Sequence, residues 1–192
     1  MLTLRFDGLL REIPNGGKPG DKSGFLCYGW LIMREGVIIA RGHGVFAHAV
    51  DATSNVAEYL ALIEGLEALG DMGVRNEPVR ILGDAKSVIE QMLGIASVQA
   101  PRMKPLHAKA QRLAATMTNL QWKWVPRKNN RQADQLTRHA LRCLHNDKQG
   151  YQSAIEALHT RGGARRKRFL PLIDLRIFQS LPEMSLGTPS GR

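Results

Sequence analysis

The chain of 192 residues suits one domain, or one domain with a tail, and 43% hydrophobic residues exclude wholesale disorder. No apolar run approaches the roughly 18 residues a membrane span needs, and the two cysteines, Cys27 and Cys143, exclude a disulfide framework or a four-thiolate zinc site. The net charge of +10 is uneven: residues 1–90 hold 9 basic and 12 acidic side chains, residues 91–146 hold 10 and 1, and residues 147–192 hold 8 and 4.

A basic stretch beside a near-neutral remainder points to a polyanion partner, nucleic acid; the bland alternative is a soluble protein that happens to be basic. Met1–Asp7 has no basic region followed by an apolar one, so no secretory leader is expected. Two free thiols suit a reducing compartment, the cytosol.

In chain order, Leu2–Gly8 alternates apolar and polar residues as a half-buried strand does. A loop rich in turn-formers follows through Gly24. Phe25–Arg34 and Val37–Phe46 read as two strands joined at Glu35-Gly36, which makes the first three strands an antiparallel meander. From Val56 the period changes: apolar residues at 56, 60, 63, 66 and 69 form a helical stripe, with Asn55 as N-cap and Gly73 just past the end.

Pro78–Leu82 is a short buried-type strand, and Asp84 caps a helix that Gly94 stops. Pro105 to about Met117 is helical, Gln121–Val125 is a strand, and Asn130 to about His145 is a last helix. Strand–helix–strand–helix–strand after a meander argues a mixed sheet with helices packed on it. Residues 147–192 differ: a weak helix is expected near Ser153–Leu158, then a basic run at Arg161–Arg168 and little fixed structure. The expected division is one folded domain over 1–146 and a basic, flexible extension over 147–192.

Four acids sit where acids are costly for a plain fold: Asp7 at the end of the first strand, Glu58 early in the first long helix, Asp84 after the Ile81-Leu82-Gly83 strand, and Asp134 early in the last helix. Each has a structural explanation. Asp7-Gly8 can be a turn, Glu58 the N3 member of a capping box, Asp84 an N-cap, and Asp134 a complement to the helix dipole. Together they convince less, because four like charges meeting at one sheet edge repel unless a cation binds.

Phe6-Asp7-Gly8, Thr53–Leu62 with Asn55-Val-Ala-Glu58-Tyr59 inside it, Gly83-Asp84-Ala-Lys86, and Val125-Pro-Arg127 followed by Asn130–Leu136 resemble the motifs of ribonuclease H type 1, in order and spacing. The likeness covers roughly residues 1–145 and is similar to the short bacterial and archaeal group described as reverse-transcriptase-like. It implies a five-stranded mixed α/β sheet in the order 3-2-1-4-5, helices on both faces, and a two-metal site built from Asp7, Glu58, Asp84 and Asp134. Two Mg²⁺ ions about 4 Å apart, with Mn²⁺ as an alternative, would flank one scissile phosphate. Asp7 would bridge them, Asp134 would hold the water-side ion, and Glu58 and Asp84 the other. The implied activity is endonucleolytic cleavage of the RNA strand of RNA–DNA hybrids by a monomer, leaving 5′-phosphate and 3′-hydroxyl ends.

Substrate contacts are implied at Gly8, Asn55, Lys86, Arg127 and Asn130. Family members read ribose 2′-hydroxyls with the backbone of a loop after the first strand; here that loop is longer, with Asn15, Gly16 and Gly17 as its equivalents, and a plain surface loop explains it as well. The loop before Asp134 lacks the histidine of some members, and Ile95–Pro105 is too short for a protruding basic handle. His139, His107 and His145 read as surface or packing residues, and Trp122 and Trp124 as core packing on one strand face. A nucleic-acid-binding module with little or no nuclease activity is the second reading, kept open by the altered loop. A 3′→5′ exonuclease is a third, weakened because Leu9 stands where those enzymes carry a second acid.

Overall fold

A computed structural model describes residues 1–13, 23–48, 52–159 and 169–179. Three long strands, β1 (Leu2–Ile13), β2 (Ser23–Arg34) and β3 (Val37–His48), form the expected meander. Its hairpin turns at Glu35 and Gly36, both at positive φ (51° and 86°), the conformation a two-residue turn between right-twisted strands needs. Helix α1 (Ser54–Asp71) crosses over to β4 (Val79–Gly83), which lies parallel to β1. Helices α2 (Lys86–Met92) and α3 (Lys104–Ala114) lead to β5 (Leu120–Trp124), parallel to β4, and a short 3-10 turn precedes α4 (Arg131–Asn146) and α5 (Lys148–His159).

The order β5-β4-β1-β2-β3 is the expected one, extended by a sixth strand, β6 (Leu170–Phe178), antiparallel on the outer edge of β3. This corrects two expectations. The sheet has six strands, and residues 170–178 carry fixed structure where little was expected. The run is recognisable only beside its partner. Tyr28 donates from its hydroxyl to Asp174 at 2.6 Å, and the Arg176 guanidinium bonds Glu64, Glu67 and Asp71 of α1 at 2.5, 3.1 and 3.1 Å.

The pleat sends alternate residues to opposite faces. Leu2, Leu4 and Phe6 of β1, with Leu26, Tyr28, Trp30 and Ile32 of β2, pack under α1, each fully buried. Burying each such side chain stabilises by roughly 1.5–3 kcal/mol. Phe25, Cys27, Val45 and Ala47 face the other way, against Ala140 and Leu144 of α4 and Ala154 and Leu158 of α5. Asp7 falls on this second face, between the two helix layers at the sheet's centre.

Smaller boundaries also shift. Thr53, not Asn55, caps α1: its Oγ1 accepts from the Val56 amide at 3.3 Å. Ala85, not Asp84, holds the cap position of α2. Trp122 is partly buried against the core, whereas Trp124 is 44% exposed, so the two indoles do not share a packing role.

Candidate active site

Asp7 lies within β1 and not at its end, paired with Gly29 of β2, so it is not a turn residue. Glu58 lies in the second turn of α1, beyond the reach of a capping box built on Thr53. Asp84 follows β4 and makes no cap bond. With these structural roles removed, what remains is convergence: one carboxylate oxygen from each of Asp7, Glu58 and Asp84 lies within 4.8 Å of the others.

Two glycines make that convergence possible. A Cβ on Gly8 would stand 2.2 Å from the Glu58 backbone nitrogen, so only glycine lets the start of α1 lie against β1 here. A Cβ on Gly29 would stand 2.6 Å from Cβ of Leu136 and 2.9 Å from the Thr137 nitrogen, so its absence lets α4 sit down on the sheet beside Asp7. Thr137 is brought there as a result. Its hydroxyl lies 3.0 Å from Asp7 Oδ2 and 2.8 Å from the Asp134 carbonyl, and its single proton serves one of them at a time.

Asn130 is fully buried, and its side-chain amide donates to the Phe6 carbonyl and to Asp84 Oδ1, both at 2.8 Å. It ties the loop before α4 to β1 and fixes Asp84 from behind. The Trp124 indole N–H donates to the Asp84 carbonyl at 3.0 Å, holding the same residue from the sheet edge.

Burial dominates the electrostatics. Asp7 is pushed up to about 7, first by burial and then by the charge of Asp84, against the opposing Thr137 hydrogen bond. Burial, followed by the charges of Asp7 and Asp84, holds Glu58 well above the ordinary carboxylate range. Its buried Oε2 has no hydrogen-bond partner among the described residues. Asp7 and Glu58 thus hold their protons more tightly than free carboxylates, and a cation among them would reverse that. An all-oxygen donor set with an orphaned buried carboxylate oxygen fits a hard divalent ion.

Asp134 stands apart. It occupies the first turn of α4 as expected, but its oxygens are held by Arg138 Nε at 2.7 Å and Arg127 Nη2 at 2.8 Å. Burial raises its carboxyl, and these two arginines outweigh that and bring it below the ordinary range. The structure thus brings three of the four acids into one cluster and turns the fourth toward cations of its own.

The implied substrate contacts divide. Gly8 is a packing position, and Asn130 lies behind the carboxylates instead of facing outward. Asn55 and Lys86 are exposed, the first accepting from Ser87 at 3.5 Å, the second pairing with Glu90 at 3.5 Å. Arg127 is exposed beside Asp134. Asn15, Gly16 and Gly17 lie outside the described residues. Reading the sequence missed Thr137, Trp124 and Arg138. Thr137 and Arg138 had a signal, since they follow Asp134 by three and four residues on one helix face; Trp124 had none.

The fold and its acid cluster define a protein of the type 1 ribonuclease H class. The family model described as reverse transcriptase-like matches residues 28–140, and the chain belongs to that family. Over 90 residues it is 41% identical to the "Bifunctional protein Rv2228c" of Mycobacterium tuberculosis, a match spanning 47% of this chain and 24% of that one. A "Ribonuclease HI" of Halobacterium salinarum is 33% identical over 137 residues, 71% of this chain and 62% of that one. The chain therefore covers about a quarter to three fifths of the length of these relatives. Among solved structures, an RNase H1 from Halobacterium salinarum superposes with a TM-score of 0.60 at 29% identity, covering 73% of this chain and 96% of that one. LC11-RNase H1, solved in complex with an RNA/DNA hybrid, gives 0.59 at 26%, covering 73% and 96%.

Proposed function

We propose that this chain is an endonuclease that hydrolyses the RNA strand of RNA–DNA hybrids, leaving 5′-phosphate and 3′-hydroxyl ends. The convergence of Asp7, Glu58 and Asp84, with no cation among them from the described residues, carries this reading. The family membership and the hybrid-bound relative LC11-RNase H1 support the choice of substrate.

Asp7, Glu58 and Asp84 would hold two divalent ions, Mg²⁺ by preference, with Asp134 recruited when it releases an arginine. Bound there, the ions supply Lewis acidity: a more acidic attacking water and neutralised charge on the departing oxygen. The chain's own residues do the rest. Thr137 holds one oxygen of Asp7, and Asn130 holds one oxygen of Asp84, so each carboxylate presents its remaining lone pairs in a fixed direction. Arg127, exposed beside the cluster, is placed to contact a phosphate of the backbone. Residues 1–146 contain every one of these groups, and we assign the catalytic role to them. The two thiols, one fully buried, suit the cytosol.

The arginine-bound Asp134 favours a second reading, a hybrid-binding module with little nuclease activity. Incubating the full chain and Mg²⁺ with end-labelled RNA/DNA, RNA/RNA and DNA/DNA duplexes decides between them. Cleavage confined to the RNA of the hybrid supports the enzyme, and binding without cleavage supports the module.

A further inference from the structure

Asp7 of β1, Gly29 of β2 and His43 of β3 form one row across the sheet, so His43 sits two strands from the carboxylate cluster, about 10 Å away backbone to backbone. Helix α4 runs over this row. Its Thr137 stands on Asp7, and His139 and Cys143, two and six residues further and four apart on one helix face, stand over His43. One nitrogen of each imidazole and the Cys143 sulfur all lie within 4.8 Å of one another. Cys143 Sγ is 3.5 Å from His139 Nε2, and the two rings meet edge to face with centroids 4.8 Å apart.

A thiol–imidazole contact within one helix turn would account for Cys143 and His139 alone. It does not account for a third donor from a different element, a buried imidazole on β3. Tetrahedral zinc, with Zn–S of about 2.3 Å and Zn–N of about 2.0–2.1 Å, sets its ligand atoms roughly 3.3–3.6 Å apart. The Cys143–His139 separation already falls in that range. A soft thiolate and two borderline imidazoles favour Zn²⁺ over the Mg²⁺ suited to carboxylates.

We propose that His43, His139 and Cys143 form a second metal site, specific for Zn²⁺ and distinct from the carboxylate cluster, that fastens β3 to α4. On binding, the sulfur–metal bond forms as the Cys143 thiol gives its proton to solvent, with no change in oxidation state. His139 is exposed, so the site opens outward and metal can enter without unfolding. Fastening α4 at His139 and Cys143 steadies Thr137, two residues before His139, over Asp7. The site stands on its own donors, whether or not the carboxylates cut nucleic acid.

The test uses the full chain, reduced and metal-free, titrated with Co²⁺ in saturating Mg²⁺. One equivalent should produce intense tetrahedral visible bands and a sulfur-to-cobalt charge-transfer band, both erased by Zn²⁺. Cys143→Ser and His139→Gln, at partly or fully exposed positions, should lose the charge-transfer band or the tetrahedral pattern. Each should weaken Zn²⁺ by more than the roughly 10–100-fold that loss of an outer-shell partner costs. Cys27→Ser and Asp7→Asn should keep both signals. Zn²⁺ should also raise the melting temperature of the unaltered chain and not that of Cys143→Ser. A spectrum without sulfur charge transfer, or one that survives Cys143→Ser or vanishes with Cys27→Ser, overturns the proposal.

Discussion

Helix α1 carries two groups of acids, and they are compensated in opposite ways. Toward its C-terminal end, Glu64, Glu67 and Asp71 gather around Arg176 of β6, and Lys109 of α3 adds a 2.7 Å ion pair to Glu67. Burial raises Glu67, but Lys109 and Arg176 reverse that and leave it below its ordinary value. Near its N-terminal end, Glu58 meets Asp7 and Asp84 with no cation from the described residues inside the cluster, and Glu58 and Asp7 are both pushed upward. One cluster meets two cations supplied by the fold, which leave Glu64 raised by burial but lock the edge strand to the helix layer. The other, on the proposed function, takes its ion from solution, and folding stability is lost to keep it so.

The largest effect should come from Asp7→Asn. A neutral amide is a poor ligand at the centre of the cluster, so hybrid cleavage in Mg²⁺ should fall by at least about 10²–10³-fold while hybrid binding persists. Cleavage at the unaltered rate would remove Asp7 from the site. In the absence of metal the same change should raise the melting temperature, because it deletes a buried acid surrounded by like charge. Arg176→Ala tests the other cluster and should do the opposite. Removing the cation strands Glu64, which is buried, and should cost about 2–3 kcal/mol in denaturant unfolding, with a smaller effect on catalysis. If both changes shift stability in the same direction, the two clusters are not different in kind.

The pH dependence sharpens the contrast. Asp7 has a folded value of about 7 against an ordinary value near 3.8, so the folded state holds its proton more tightly than the unfolded chain. Its contribution to stability is fully present below about 3.8 and is lost as pH rises through about 7. In chelator, melting temperature should decline across that window, and the decline should be shallower in Asp7→Asn, where only the raised Glu58 remains to drive it. A flat or rising profile in the unaltered chain would contradict the raised value.

Much of this was legible beforehand. The four acids, the meander, the helix glycines and the parallel crossovers all follow from period, turn chemistry and motif, because those are local signals. What was not legible depended on neighbours far along the chain. The strand at Leu170–Phe178 exists because β3 offers an open edge and α1 offers acids to Arg176. Thr137 becomes a site residue only because Gly29 lets α4 approach. The arginines on Asp134 converge from the preceding loop and the next helical turn, a pairing that depends on side-chain direction. The choice of Thr53 over Asn55 as the helix cap rests on a shift of two residues, within the usual uncertainty of helix ends.

A smaller effect is expected at Thr137→Val. Loss of the hydroxyl removes a hydrogen bond worth about 0.5–1.5 kcal/mol from the ionised form of Asp7. The acid limb of the pH–rate profile should move upward, with a modest drop in rate. An unshifted profile would leave Thr137 a packing residue.

The most direct measurement is the titration of the Asp7 and Glu58 side-chain carboxyl carbons by ¹³C NMR, with chelator and then with saturating Mg²⁺. Without metal, Asp7 should titrate near 7 and Glu58 above the ordinary carboxylate range, and Mg²⁺ should drive both downward. Ordinary values in chelator, or raised values that Mg²⁺ leaves unmoved, would contradict a cluster built to take its cation from solution.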